Sequence, residues 1–153
     1  MNTEEIYRTI TEENTEAIDK LKEAVMDHEI KLFREEVITN LATVDELITY
    51  VCKRRGLPKA ELIGKDRKRV RVETRHVIWY LLKNKTVNNF LTLQQMGAIF
   101  KRDHATTLWG IKKVETLMTY DQELREEIML VANHFGKRAI WDDHTKTLSY
   151  VND

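Results

Sequence analysis

Only one cysteine, Cys52, and one proline, Pro58, occur among 153 residues, with five glycines and no long apolar run. A lone cysteine makes no internal disulfide, which suits a reducing compartment. Scarce proline together with 42% hydrophobic residues argues for a folded, helix-rich chain rather than a disordered one. The longest apolar run, Val77 to Leu82, is far short of the ~20 residues that span a bilayer. The N-terminus, Met1-Asn2-Thr3-Glu4-Glu5, lacks the basic and apolar regions of a secretion signal. No membrane partner is expected, and the expected location is cytoplasmic. The glycines form no G-x-x-x-x-G-K-[ST] loop, so nothing cradles the phosphates of ATP. Histidines 28, 76, 104, 134 and 144 and the cysteine show no zinc-ligand spacing. No metal and no cofactor are expected. Asp103-His104 and Asp142-Asp143-His144 invite an acid–base reading, but no nucleophile, metal set or second carboxylate stands in register with them. The chain does not read as an enzyme.

What is present is charge, sorted by sign. The formal net charge is zero. Residues 1–40 nevertheless carry 5 Lys/Arg against 11 Asp/Glu, residues 41–120 carry 16 against 7, and residues 121–153 carry 4 against 7. Solubility alone needs no such sorting, so the basic middle implies an anionic partner. These three stretches are also the expected divisions of the chain: an acidic helical segment, a basic domain, and a covering helix followed by a β-hairpin.

In the acidic segment Ile18, Leu21, Val25, His28 and Leu32 alternate at spacings of three and four. That is the seam of a short coiled coil or helical hairpin, or a face packed on the basic domain. It makes a homodimer, or a partner protein held through this segment, an expectation. A new helix is predicted at Thr43, where Thr43-Val44-Asp45-Glu46 reads as a capping box, ending at Gly56. A short helical turn follows from Leu57 to Gly64, with Pro58 near its start. Lys65-Asp66-Arg67-Lys68-Arg69-Val70-Arg71 then lies between a stopping glycine and a helix cap expected at Thr74, so it reads as a loop. Loop arginines enter the narrow, negative minor groove of A·T-rich DNA. Thr74 to Leu82 passes for a buried strand on periodicity alone. Thr92 is expected to cap a helix over residues 93–100 with Met96, Ile99 and Phe100 on its core side.

Asp103 is a good N-cap for the next helix. Ala105, Leu108, Ile111, Val114 and Leu117 recur at threes and predict its core stripe. Its first turn then presents Asp103, His104, Thr106 and Thr107, with Arg102 just before them. Short hydrogen-bonding groups flanked by cations suit the base edges of a DNA major groove. Farther on, Asp121 is expected to cap a covering helix that runs to Gly136. Residues 140–150 have the pattern of a β-hairpin whose Trp141, Leu148 and Tyr150 pack on the helices or on a partner.

Arg102-Asp103-His104-Ala105-Thr106, with Lys112, Lys113 and Val114 after it, resembles the signature of the C-terminal DNA-binding domain of the bacterial replication initiator DnaA. The resemblance runs back to Ala42 and takes in the capped helix, the short turn and the basic loop. It implies an all-α helical bundle with a helix-turn-helix, here with a small C-terminal β-hairpin added, and makes Thr74–Leu82 a central buried helix. It further implies sequence-specific binding of double-stranded DNA at an A·T-rich site, in replication initiation or its regulation. Arg102, Asp103, His104, Ala105 and Thr106 would face the major groove or the adjacent backbone, and Arg67 the minor groove. Lys65, Lys68, Arg69, Arg75, His76 and Thr107 would hold phosphate, with Arg75 and His76 at a helix start. Ala105 stands where a threonine is common, and Asp66 where the family is often basic. Only Lys101 separates Phe100 from Arg102, where two glycines are usual. The competing class is an interaction protein of the same fold that binds a host replication protein, and a transcriptional regulator is a further alternative.

Overall fold

The computed structural model describes residues 2–151, with the backbone path alone for residues 7, 10, 11, 13, 33, 36–38 and 40. The chain divides into two compact units, Met1–Thr39 and Asn40–Asp153. The residues after 120 therefore belong to the same unit as the basic stretch.

Helix α1, Thr3–Arg55, runs through both units. No glycine or proline interrupts the sequence before Gly56, so no residue imposes a stop. Glu4 and Glu5 in its first turn and Lys53, Arg54 and Arg55 in its last complement the helix dipole. The helix start expected at Thr43 is not there. A capping box favours a helix end only where the chain leaves helical geometry, and here the helix passes straight through it. Nor does the acidic unit fold back as a hairpin. Ile18, Leu21, Val25 and Leu32 are each more than half exposed along it.

In the second unit Val44, Leu47, Ile48, Val51 and Cys52 of α1 are buried at helical spacing. Gly56, at φ +65°, ends the helix as expected. Pro58 then leads into a short 3₁₀ turn, Lys59–Ile63, which buries Leu62. Lys59 pairs with Asp45 across this corner.

Helix α2, Arg69–Lys83, is the centre of the unit, with every residue from Thr74 to Leu82 buried. A helix covered on all sides shows no amphipathic period, which is why its sequence also passes for a strand. It starts at Arg69 rather than Thr74. The Thr74 hydroxyl donates to the Val70 carbonyl at 2.6 Å inside the helix instead of capping a new one. The Trp79 indole donates to the Met96 carbonyl at 2.9 Å and so fixes the next helix to this one.

Helix α3, Leu93–Ile99, opens with the expected cap, Thr92, in a reciprocal capping box with Gln95. Helix α4 spans His104–Met118 and α5 Gln122–His134, the latter capped by Asp121 as expected. Strands β1, Arg138–Asp142, and β2, Thr147–Val151, pair antiparallel with Trp141 opposite Leu148. A lone hairpin is marginal in water, and this one is tied down. Trp141 and Leu148 pack against the core, the Tyr150 and Thr86 hydroxyls meet at 2.6 Å, and the Arg125 guanidinium lies 4.8 Å above the Trp141 ring. The architecture is thus all-α with an added hairpin. Among the described residues no helix is long and apolar enough to cross a membrane.

Candidate nucleic-acid interface

Helices α3 and α4 form the helix-turn-helix, and two features set its angle. The turn closes with the Lys101 N–H donating to Ala98 at 3.1 Å and the Arg102 N–H to Gly97 at 2.8 Å. Lys101 takes the left-handed conformation, φ +55°, that closes such a turn. Gly97 is where the helices cross: a Cβ there would lie 2.5 Å from both the Arg102 carbonyl oxygen and Thr107 Oγ1. One lysine thus closes the turn despite the missing glycines. Asp103 caps α4, accepting from the Thr106 N–H at 2.7 Å. Those bonds hold its carboxyl below the usual carboxylate range.

The expected apolar stripe of α4 is rotated. Thr107, Gly110, Ile111, Val114 and Met118 are the buried positions, and Ala105 is exposed. Residues spaced by three fall about 60° short of a full turn at each step, so a strict three-residue series drifts off one face. Thr107 is therefore not on the exposed first turn. It is fully buried, with its hydroxyl donating to the Asp103 carbonyl at 2.8 Å. Burial removes it from any phosphate. Asp103, His104 and Thr106 are exposed as expected, and Ala105, expected both in the stripe and at the groove, is exposed beside them.

The basic loop is shorter than expected, since Arg69, Val70 and Arg71 already belong to α2. Asp66 organises what remains. Its carboxylate accepts from the Lys68 N–H at 2.6 Å and pairs with Arg71, which also pairs with Glu61 at 3.0 Å. An acid here thus builds the loop, and Lys65, Arg67, Lys68 and Arg69 stay exposed.

Arg75 and His76 lie inside α2, not at its start, and are buried. The Arg75 guanidinium donates to the carbonyls of Leu62 at 3.0 Å and Asp66 at 3.4 Å, bracing the turn before the loop and the loop itself. Burial, with Arg102 nearby, lowers its pKa. Burial also pushes His76 down to about 4, helped by Arg75 and Lys113, so its ring is neutral at neutral pH. That ring packs beside Trp79 and against Gly110, where a Cβ would come within 2.5 Å of it.

Arg102 joins the two regions. Its guanidinium donates to Phe100 at 2.7 Å within the turn and to Gly64 at 2.6 Å, just before the loop. The result is one open hollow of about 600 Å³ whose lining includes Lys65 and Arg67 from the loop, Arg75 and His76 from α2, and Lys101, Arg102, Thr106 and Trp109 from the helix-turn-helix. Five cations and no carboxylate line it. Such a surface attracts a polyanion. Lys101 and Trp109 were not among the residues expected here. Trp109 had a signal in the sequence, standing three residues after Thr106 and four before Lys113, the spacing of one helix face.

Residues 44–114 match the family model described as the bacterial dnaA protein helix-turn-helix. The chromosomal replication initiator protein DnaA of Mycoplasma genitalium is 38% identical over 82 residues, which is 54% of this chain and 18% of that protein. The protein of the same name from Mycoplasma pneumoniae is 31% identical over 122 residues, 80% of this chain and 26% of the relative. That from Rickettsia akari is 32% identical over 114 residues, 72% and 24% respectively. The chain spans about a fifth to a quarter of the length of these relatives.

Proposed function

We propose that the chain, whose residues 44–114 match the bacterial dnaA protein helix-turn-helix model, binds double-stranded DNA sequence-specifically, in replication initiation or its regulation. One observation carries this reading: loop cations Lys65 and Arg67 meet Lys101, Arg102 and Thr106 around a single hollow free of carboxylates. In this reading His104, Ala105 and Thr106 face base edges, Ala105 offering its methyl to a thymine. Arg67 enters the minor groove of an A·T-rich segment. Lys65, Lys68 and Arg69 hold phosphate, while Asp103, Arg102, Arg75 and His76 fix the shape of the site. Selection of bound sequences from a random duplex pool, followed by affinity against salt, tests it. A defined consensus and a log–log slope near −0.9 per phosphate engaged support the reading. Salt-independent binding, or no enrichment, overturns it.

The exposed stripe of Ile18, Leu21, Val25 and Leu32 favours an additional role for the acidic unit, namely self-association or a hold on a replication protein. An isolated helix of this kind gains most of its stability from covering such a face. Sedimentation of the whole chain against a chain lacking residues 1–39 checks the first of these: a dimer that becomes a monomer supports it, and two monomers refute it.

A further inference from the structure

Trp109 stands apart from the other two tryptophans: it is 57% exposed on α4, whereas Trp79 is fully buried and Trp141 packs against the core. It divides two hollows. The first is the cation-lined one described above. The second, about 430 Å³, is lined by Arg69 and Lys113 together with Glu73 and Asp121, and shares Arg67 and His76 with the first. The indole is held in place, with the His76 ring edge-on at 5.5 Å and Lys113 Nζ 5.4 Å from the ring centroid. Among the described residues its N–H donates to no group. A braced aromatic ring on the same face as Thr106 offers apolar surface and one free donor to whatever meets that face.

We propose that Trp109 reads a thymine in the major groove, its indole N–H donating to O4 and its ring covering the C5 methyl. The inference rests on the duplex-binding reading above. A helix lying in a groove has a phosphate strand on either side, and Lys65 and Lys101 in the first hollow, with Arg69 and Lys113 beside Glu73 and Asp121 in the second, would hold those strands. Whatever stands between the flanks then faces base edges. Thymine alone among the four bases presents, in the major groove, an acceptor beside a methyl group. An indole with its donor at the rim of an apolar ring matches that pair of features. The contact adds one base position, three residues along α4 from Thr106, to those read by the first turn.

The test uses the whole chain and a duplex selected from a random pool, with each thymine replaced singly by deoxyuridine to remove only its methyl. One position should cost the unmodified protein about fourfold in affinity, the value of one buried methyl. Trp109→Ala should be indifferent to that replacement. Trp109→Phe should stay sensitive to it while binding about fivefold more weakly overall, having lost only the N–H bond. If no thymine matters, or if Trp109→Ala responds to deoxyuridine as the parent does, the inference falls while sequence-specific binding stands. If a single strand of the same sequence binds as tightly as the duplex, stacking on an unpaired base accounts for Trp109 and the inference also falls. A parent protein that selects no duplex refutes the broader reading instead.

Discussion

Replacing Gly97 by alanine sets two effects of opposite sign against each other. Gly97 lies within α3, where helix propensity alone would make alanine better by about 1 kcal/mol. The new Cβ, however, would sit 2.5 Å from the Arg102 carbonyl oxygen, 2.5 Å from Thr107 Oγ1 and 3.0 Å from the Asp103 carbonyl oxygen. Two of those three atoms are backbone and the third is on a fully buried side chain, so no flexible chain end can swing aside. The helices must part by a substantial fraction of an ångström, which disturbs the Arg102 N–H bond to Gly97. Overpacking of this sort costs about 1–3 kcal/mol, and more where backbone must move. The net expectation is a destabilisation of about 1–2 kcal/mol in urea unfolding, seen as a melting temperature roughly 5–10 °C lower. Affinity for a selected duplex should fall more than tenfold, because the first turn of α4 no longer keeps its angle to the basic loop. Gly97→Ala/Thr107→Ala should recover part of the stability by removing one of the close atoms, a coupling that a double-mutant cycle measures. A Gly97→Ala protein as stable as the parent, or more so, would refute the reasoning and leave propensity as the controlling effect.

Lys101→Gly should raise stability by about 1 kcal/mol in the same assay, because Lys101 holds φ +55° where a side chain is disfavoured. His76 has a folded-state pKa of about 4 against an ordinary value of 6.5. Between those pH values the unfolded chain binds the proton first, so stability should decline as pH falls from about 6.5 through 4, by on the order of 2–3 kcal/mol. His76→Gln should flatten that decline in urea titrations, and an unchanged pH profile would remove His76 as its source. His104→Ala should cost about 1–3 kcal/mol at the selected site with little loss on random duplex. Arg67→Ala should weaken A·T-rich duplexes most, and competition binding separates the two patterns.

The parts of the fold legible in the sequence were those decided within a few residues. Thr92, Asp103 and Asp121 cap helices because the groups they satisfy lie three positions on, and Gly56 ends α1 because its backbone takes positive φ. The same local logic misplaced Thr43 and Thr74. A capping residue states a preference, and the preference is unused where the chain on both sides stays helical. Thr107 was misassigned because its burial depends on the crossing at Gly97, a contact between helices that spacing along one helix does not report. The cations of the site were visible as charge. That Asp66 would order the loop, and that Arg75 would spend its donors on the Leu62 and Asp66 carbonyls, depended on a turn meeting α2 and on rotamers no pattern encodes. Trp109 carried a signal in the Thr106–Trp109–Lys113 spacing, but whether that face of α4 is open depends on how the helix is seated on the core.

The bond from Arg102 to the Gly64 carbonyl has a thermodynamic consequence. On the duplex-binding proposal, this bond and those of Asp66 fix the segment bearing Arg67 within the folded protein itself. The entropy of fixing that loop is charged to folding rather than to association. Docking on that proposal would be a single rigid-body encounter instead of helix first and loop afterwards, and association should proceed in one kinetic phase at a rate set by electrostatic steering. Cutting this tether would leave the first turn of α4 as it is, yet on the same proposal it would turn one encounter into two.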